Sequence, residues 1–209
     1  IQVREALIWS FVWIALALGF NIGIFFFIGR EEALLFFTGY LVEKSLSVDN
    51  LFVFIVIFSF FSVPKRFEHK ILFWGIIGAL VMRAVLIALG ISLIVRFQWI
   101  TYLLGAFLIF TGVKSAISSQ ERLELENNPF IRFVRRIIPV AGDYESGRFF
   151  LRDGGKLVAT PLLIVLIIIE FTDVIFALDS IPAILAITQD PFLVYSSNLF
   201  AILGLRALF

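Results

Sequence analysis

The sequence predicts an all-α, polytopic transmembrane helical bundle with one cytoplasmic loop segment, and three observations lead to that fold class. Hydrophobic residues make up 61% of the 209 residues and charged residues 16%, with a mean hydropathy of +1.04. Apolar windows recur along the chain and reach the ~20 residues that an α-helix needs to cross ~30 Å of hydrocarbon. The third observation is a repeat of rare charged residues, described below, that predicts inverted three-helix repeats.

The composition also excludes several classes of function. Because the chain contains no cysteine, we expect no disulfide, no thiolate metal site and no thiol redox chemistry within it. The formal net charge of +1 gives no reason to expect nucleic acid as a partner. The single histidine, His69, lies in a basic stretch, where a solvated surface residue is expected rather than a ligand.

Six apolar segments are predicted to cross the membrane. Their boundaries are 6–28, 33–61, 71–95, 99–117, 157–187 and 192–209. The first four form a first transmembrane repeat region, 1–117, and the last two a second region, 157–209. The second region is expected to be truncated, because the chain stops inside an apolar run.

The second apolar segment, 33–61, is longer than one untilted crossing requires at 1.5 Å per residue. A polar stretch, Glu43-Lys44-Ser45-Leu46-Ser47-Val48-Asp49-Asn50, interrupts its centre. We therefore expect one helix that is either tilted or broken.

Residues 118–156 are the one sizeable segment outside the apolar spans. Arginines and apolar residues fall on opposite sides of a helical wheel there, as in a helix that lies on a membrane surface. Packing of this helix on the protein itself is an equally supported alternative. The apolar residues are Phe130, Ile131, Phe133, Val134, Ile137 and Ile138, and the arginines are Arg132, Arg135 and Arg136. Further on, Asp153-Gly154-Gly155 predicts the turn of a small hairpin.

Basic residues concentrate in two loops, 63–70 and 118–156. Two crossings separate these loops, so they lie on one side, which the positive-inside rule makes cytoplasmic. The amino terminus then also lies inside, provided that 33–61 crosses the membrane once.

A set of rare polar residues occurs twice in the same order. Each copy has two acids six residues apart, then an amide or hydroxyl residue, then an arginine in a later span. The copies are Glu43, Asp49, Asn50 and Arg83, and Asp173, Asp179, Ser180 and Arg206. Because three crossings separate them, the copies run in opposite directions, as in many secondary transporters.

The repeated acids predict a metal site. A charge at the centre of a membrane helix costs roughly 2.5–3.5 kcal/mol, so a helix that only anchors the protein would not carry them. Six residues turn an α-helix through about 600°, so two helices rather than one are needed to direct all the acids at one point. Oxygen ligands without Cys or His suit Mn²⁺, Mg²⁺ or Ca²⁺ rather than zinc or copper. The predicted metal ligands are Glu43, Asp49, Asp173 and Asp179, with Asn50, Glu170, Ser180, Arg83 and Arg206 in supporting roles. Pro182 removes the hydrogen bond to the Leu178 carbonyl, which can free that oxygen as a ligand or let the helix bend.

A structural role for the acids is the alternative. They would then pair with Lys44, Arg83 and Arg206 and fix the packing of the helices. In a mixed interpretation, the arginines hold some of the acids while the others bind metal.

The stretches 43–54 and 173–183, with Phe37-Thr-Gly-Tyr-Leu41 and 197–207, are similar to the signature stretches of the TerC family of integral membrane proteins. The resemblance covers nearly the whole chain. It implies a multi-pass protein of the bacterial inner membrane. It also implies a link to manganese efflux, metal loading of exported enzymes, alkaline-pH response or tellurium-ion resistance.

Three functions are compatible with these patterns. The first is a proton-coupled exporter of Mn²⁺, carried as a substrate, with no organic cofactor and no enzymatic activity. The second is a non-transporting scaffold for metal loading or regulation of other exporters, with 118–156 as its protein-docking surface. The third, an intramembrane aspartyl protease, is disfavoured because Val48 and Leu178, rather than the Gly of a Gly-x-Gly-Asp pattern, precede the acids. Oligomeric state is left open.

Overall fold

A computed structural model shows an all-α bundle, and it describes residues 3–117, 131–134, 144, 147–153 and 156–205. The helices are α1 (Val3–Phe27), α2 (Arg30–Phe60), α3 (Lys65–Arg96), α4 (Ile100–Ile117), α5 (Pro161–Ile187) and α6 (Pro191–Leu205). Each corresponds to one of the predicted apolar segments, so the predicted fold class is confirmed.

Length and composition allow three of the described helices, α1, α3 and α5, to cross a membrane, and α4 and α6 are shorter apolar helices. Helix α2 has 31 residues, ample for a crossing, but Glu43, Lys44 and Asp49 interrupt its apolar run. Helix α2 is therefore long enough to cross a membrane, and only the charged residues at its centre distinguish it from the other long apolar helices.

Helix α2 is continuous from Arg30 to Phe60, so the polar stretch does not break it, and the chain crosses the bundle once there. The expectation of a loop at 63–70 is wrong for Lys65–Lys70, which form the first turns of α3. Pro64 directly precedes that helix. The carboxylate of Glu68, in its first turn, interacts favourably with the positive end of the helix dipole. Helix α5 likewise continues through Pro182.

The helix contacts have a twofold symmetry. The list of contacting helices stays the same when α1 is exchanged with α4, α2 with α5 and α3 with α6. Helix α2 packs on α6 and α3 on α5, α2 also packs on α5, and α3 on α6. Helix α1 contacts α2 and α6, and α4 contacts α5 and α3. These neighbours agree with a twofold repeat of three helices, and the inverted repeat itself stays a prediction.

Small residues let α2 approach its partners closely. A Cβ atom at Gly39 would lie 3.0 Å from Ile184 and 3.1 Å from the Ser197 hydroxyl oxygen. Glycine at such a contact brings two helix backbones together, which is the common basis of helix packing in membranes.

A helical turn at 131–134 packs on the protein. Ile131 and Val134 are buried in a cluster with α2, α3 and α5, while Arg132 and Phe133 are exposed. For these four residues the structure shows packing on the protein itself, and Phe133 lies outside the face that Ile131 and Val134 bury. The other residues of the predicted amphipathic segment, Phe130, Arg135, Arg136, Ile137 and Ile138, lie outside the described residues.

The predicted hairpin is confirmed. Strand β1 (Phe150–Asp153) pairs antiparallel with β2 (Lys156–Ala159), with Phe150 opposite Ala159. The chain before the hairpin contacts the α2–α3 turn, where Tyr144 donates to the Phe61 carbonyl at 2.7 Å, and the start of α3, where Lys70 donates to the Gly147 carbonyl at 2.6 Å. Both basic segments therefore meet at one end of the bundle, which we call the basic end.

Candidate functional site

The largest fully buried side chain in the described helices is a charged one, Arg83 of α3, with 1% of its surface exposed. Its guanidinium donates to both carboxylate oxygens of Asp173, from Nε at 3.2 Å and from Nη2 at 3.0 Å. From Nη1 it donates to the Glu43 carboxylate and, at 3.0 Å, to the Asn198 side-chain oxygen. One guanidinium thus joins α2, α3, α5 and α6, and we call these four residues the Arg83 cluster.

The Arg83 cluster lies at mid-depth in the bundle. At 1.5 Å per residue, Glu43, Arg83 and Asp173 each lie roughly 18–27 Å from either end of their helices. Two carboxylates facing one guanidinium leave a formal excess of one negative charge, where water is largely excluded. Such a site attracts cations and repels anions.

Helices α2 and α5 bury the same positions of the repeat. On α2 these are Glu43, Ser47 and Asn50, and on α5 they are Asp173, Ala177 and Ser180, with exposed fractions of 5% or less. The spacing i, i+4, i+7 places each set on one helix face. The first acid of each copy therefore faces the interior together with the amide or hydroxyl residue of that copy, Asn50 or Ser180.

The second acid of the second copy lies elsewhere. Asp179 is exposed, and the Lys114 ammonium of α4 is the opposite charge that acts on it. The side chain of Asp49 and the whole of Arg206 lie outside the described residues. Of the four predicted metal ligands, the structure therefore brings Glu43 and Asp173 together and separates Asp179 from them.

Glu170 lies one turn before Asp173 and is half-buried. Its carboxylate packs against the backbone of Gly78 on α3, where a Cβ atom would collide with it. This carboxyl group lies near Asp173 without belonging to the Arg83 cluster.

Within the described part of the chain, no three Asp, Glu, His or Cys side chains form a group that could hold a metal ion. Glu43 and Asp173 instead satisfy Arg83, as the ion-pair interpretation of the sequence expects for these two acids. Four buried side-chain atoms have no hydrogen-bond partner among the described residues. One of them, Asn21 Oδ1, lies on α1, and the other three belong to the Arg83 cluster or to the repeat: Glu43 Oε2, Asn198 Nδ2 and Ser180 Oγ. Buried polar atoms normally have partners, so these atoms can accept or bind something further.

A small cavity of about 30 Å³ borders the Arg83 cluster. Arg83, Asp173 and Asn50 give it a polar wall, and the rest of its lining is apolar except for the backbone of Gly75. The lining residues of α3, from Leu72 to Ala79, precede Arg83, so the cavity lies between the cluster and the basic end. Its volume is sufficient for about one water molecule.

Asn198 is the residue of the cluster to which the sequence analysis assigned no role. A signal was present, because Ser196, Ser197 and Asn198 are consecutive polar residues in an otherwise apolar helix. All three are buried. Three consecutive positions point in different directions on a helix, so the sequence alone does not single out the amide.

Comparison with known proteins identifies relatives of the chain. Residues 28–209 match the model of the integral membrane protein TerC family. An uncharacterized membrane protein of Myxococcus xanthus is 48% identical over 209 residues, covering 100% of this chain and 66% of its own length.

Proteins that carry the provisional name membrane-bound redox modulator Alx are also similar. The one from Salmonella typhi is 48% identical over 216 residues, and the one from Escherichia coli K12 is 46% identical over 215 residues. These alignments cover 100% and 99% of this chain and 67% of each relative. The chain therefore spans about two thirds of the length of these relatives. No solved structure matches it.

Proposed function

The chain belongs to the TerC family of integral membrane proteins, and from that premise we propose that it exports a divalent cation, Mn²⁺, through the Arg83 cluster. The observation that supports the proposal most directly is that Glu43 and Asp173, the first acids of the two copies, both accept hydrogen bonds from the Arg83 guanidinium at mid-depth in the bundle. Charged residues inside membrane helices are costly and commonly mark ion pathways. Packing alone would be served more cheaply by apolar side chains.

The chemistry of the cluster favours a hard cation. Its acceptors are carboxylate and amide oxygens, which suit Mn²⁺, Mg²⁺ and Ca²⁺. Mn²⁺ is the preferred member because the sequence resembles a family linked to manganese efflux. We keep Asp49 and Asp179 as further ligands along the route of the ion, outside the pair that holds Arg83.

Coupling to protons completes the proposed cycle. A carboxylate that loses its cation in a buried site either finds another counter-charge or takes up a proton. Glu43 Oε2 has no partner among the described residues, so that oxygen is the proposed site of proton uptake. By the positive-inside rule we place the basic end in the cytoplasm and the protein in the bacterial inner membrane.

A non-transporting scaffold is the second candidate, because the ion pairs of Arg83 by themselves can serve only packing. The relatives' provisional name suggests a redox role. In these 209 residues such a role would have to operate without thiols, since they contain no cysteine. An aspartyl protease is disfavoured, because Asp173 is paired with Arg83 and Asp179 is exposed elsewhere.

Transport into proteoliposomes distinguishes these functions. We expect the purified protein to carry Mn²⁺ down an imposed gradient, and Glu43→Gln to abolish this flux at equal incorporation. Asp179→Asn should lower the flux without loss of protein, because that side chain is exposed. Glu31→Gln removes an exposed acid at the start of α2 and serves as the matched control. Absence of flux with well-folded wild-type protein would favour the scaffold.

A further inference from the structure

Arg83 occupies the space between the two acids that the proposed function assigns to the transported ion. Its guanidinium makes four hydrogen bonds, three to carboxylate oxygens and one to Asn198. Arginine has five N–H donors, so almost all of its bonding capacity is used in this position. The side chain satisfies the acids as a bound cation would.

We propose that Arg83 is a tethered cation, which holds the Glu43–Asp173 pair while no ion is bound and must withdraw for the transported ion to bind. This inference rests on the proposed function. The observed contacts of Arg83 are those of a cation that holds both acids, and exchange of one cation for another is the step that Arg83 controls.

Charge supports mutual exclusion of the guanidinium and the ion. With Arg83 in place, the two carboxylates and the guanidinium carry a formal charge of −1. A divalent ion added beside the guanidinium would bring the sum to +1, with two cations in contact in a site of low dielectric constant. A divalent ion in place of the guanidinium brings the sum to zero. Exchange is therefore favoured over joint occupancy.

The packing around Arg83 provides a direction for its withdrawal. The neighbouring cavity borders Arg83 and Asp173 on the side toward the basic end, whereas Glu43 does not line it. Small residues, Gly75 and Ala79, line that side on α3 itself. Side chains on a helix lean toward its amino terminus, which for α3 is the basic end. Asn50 also lines this cavity, and its side-chain amide contains an oxygen that can accept a hydrogen bond from a guanidinium.

A tethered cation also explains how such a site releases its ion. Two buried carboxylates without a counter-charge would bind a divalent cation tightly and let it go slowly. Transport requires binding that is strong enough for entry and weak enough for exit. The return of Arg83 supplies a competing cation at the same oxygens, so it raises the dissociation constant of the ion and promotes release.

Mn²⁺ binding to the protein in lipid nanodiscs tests the inference, with the electron paramagnetic resonance signal of free Mn²⁺ as the readout. We expect Arg83→Gln to bind Mn²⁺ at least tenfold more tightly than wild type and to transport it more slowly. Arg96→Gln is the matched control, since it removes an exposed arginine from the other end of α3. Its affinity should equal that of wild type.

The outcomes separate the two proposals. If wild type binds Mn²⁺ and folded Arg83→Gln binds it with equal or lower affinity, the tethered-cation proposal is wrong and the proposed function still stands. Absence of binding in both proteins overturns the proposed function, and the inference with it.

A second measurement needs no variant. Mn²⁺ should increase the rate at which phenylglyoxal modifies Arg83 in the wild-type protein, as followed by peptide mass spectrometry, because the ion displaces the guanidinium from its acids. An unchanged or slower rate, in protein that binds Mn²⁺, contradicts the inference even if Arg83→Gln fails to fold.

Discussion

At the scale of single residues, the ratio of acids to arginine in the Arg83 cluster determines how the protein tolerates substitution. Glu43 and Asp173 share one guanidinium. Loss of either charge leaves a balanced pair of one acid and one arginine, whereas loss of both leaves a buried guanidinium without a counter-charge. The two substitutions are therefore expected to be strongly non-additive.

We accordingly predict that Glu43→Gln and Asp173→Asn each leave the protein folded in the membrane, and that the double variant does not. Removal of the partners of a buried charge costs roughly 3–5 kcal/mol, and an amide in place of one acid does not incur that cost while the other acid remains. Membrane abundance and thermal unfolding in detergent are the measurements. A double variant as stable as either single variant would show that Arg83 does not depend on these acids.

The same residues show how far sequence reasoning reaches. The cost of charges in apolar spans is enough to select Glu43, Asp173 and Arg83 as interior residues, and the structure buries all three. Which acid faces which base depends on the rotation of each helix about its axis. That rotation is set by packing between helices, so the exposure of Asp179 and the part played by Asn198 could not be predicted from spacing alone.

At the scale of helices, glycine contacts hold the elements that carry the site. Gly39 lies one turn before Glu43 on α2 and touches Ile184 of α5 and Ser197 of α6. Ser197 directly precedes Asn198, so this contact sets the distance between two elements of the Arg83 cluster. Helix ends are less predictable, because Lys65–Lys70 form the first turns of α3 where charge alone indicates a loop.

Gly39→Leu is therefore predicted to separate α2 from α5 and α6 and to destabilise the protein. Overpacking of this kind typically costs 1–3 kcal/mol. Gly112→Leu is the matched control, because nothing lies within 4 Å of a Cβ atom at Gly112 on the exposed side of α4. Thermal stability and Mn²⁺ flux should both fall for the first variant alone. Equal effects of the two substitutions would contradict the role assigned to the Gly39 contact.

At the scale of the whole molecule, the two basic segments lie together at one end. The contacts of Lys70 and Tyr144 connect the start of α3 and the α2–α3 turn with the chain before the hairpin. The number of crossings between the two segments predicts this arrangement. The unbroken α2 meets the condition attached to a separate prediction, that the amino terminus lies on the same side as the basic segments. The side of the membrane on which the basic end lies stays a prediction.

Cysteine accessibility tests that orientation, since these 209 residues contain no cysteine that would compete for the label. We predict that a membrane-impermeant maleimide added to right-side-out vesicles labels Gln98→Cys, at the far end of α3, and leaves Lys65→Cys unlabelled. Both native residues are exposed, so burial does not determine the result. After the vesicles are opened, both cysteines should react. The opposite labelling pattern would reverse the proposed direction of transport.

The central claim, that Glu43 and Asp173 form a cation site on the route through the bundle, is tested most directly by anomalous scattering from a crystal soaked in Mn²⁺. We predict an anomalous peak between α2 and α5, within bonding distance of both carboxylates, with the Arg83 guanidinium moved toward the basic end. Manganese found only at the protein surface, with Arg83 still bonded to Glu43 and Asp173 at saturating Mn²⁺, would contradict the account.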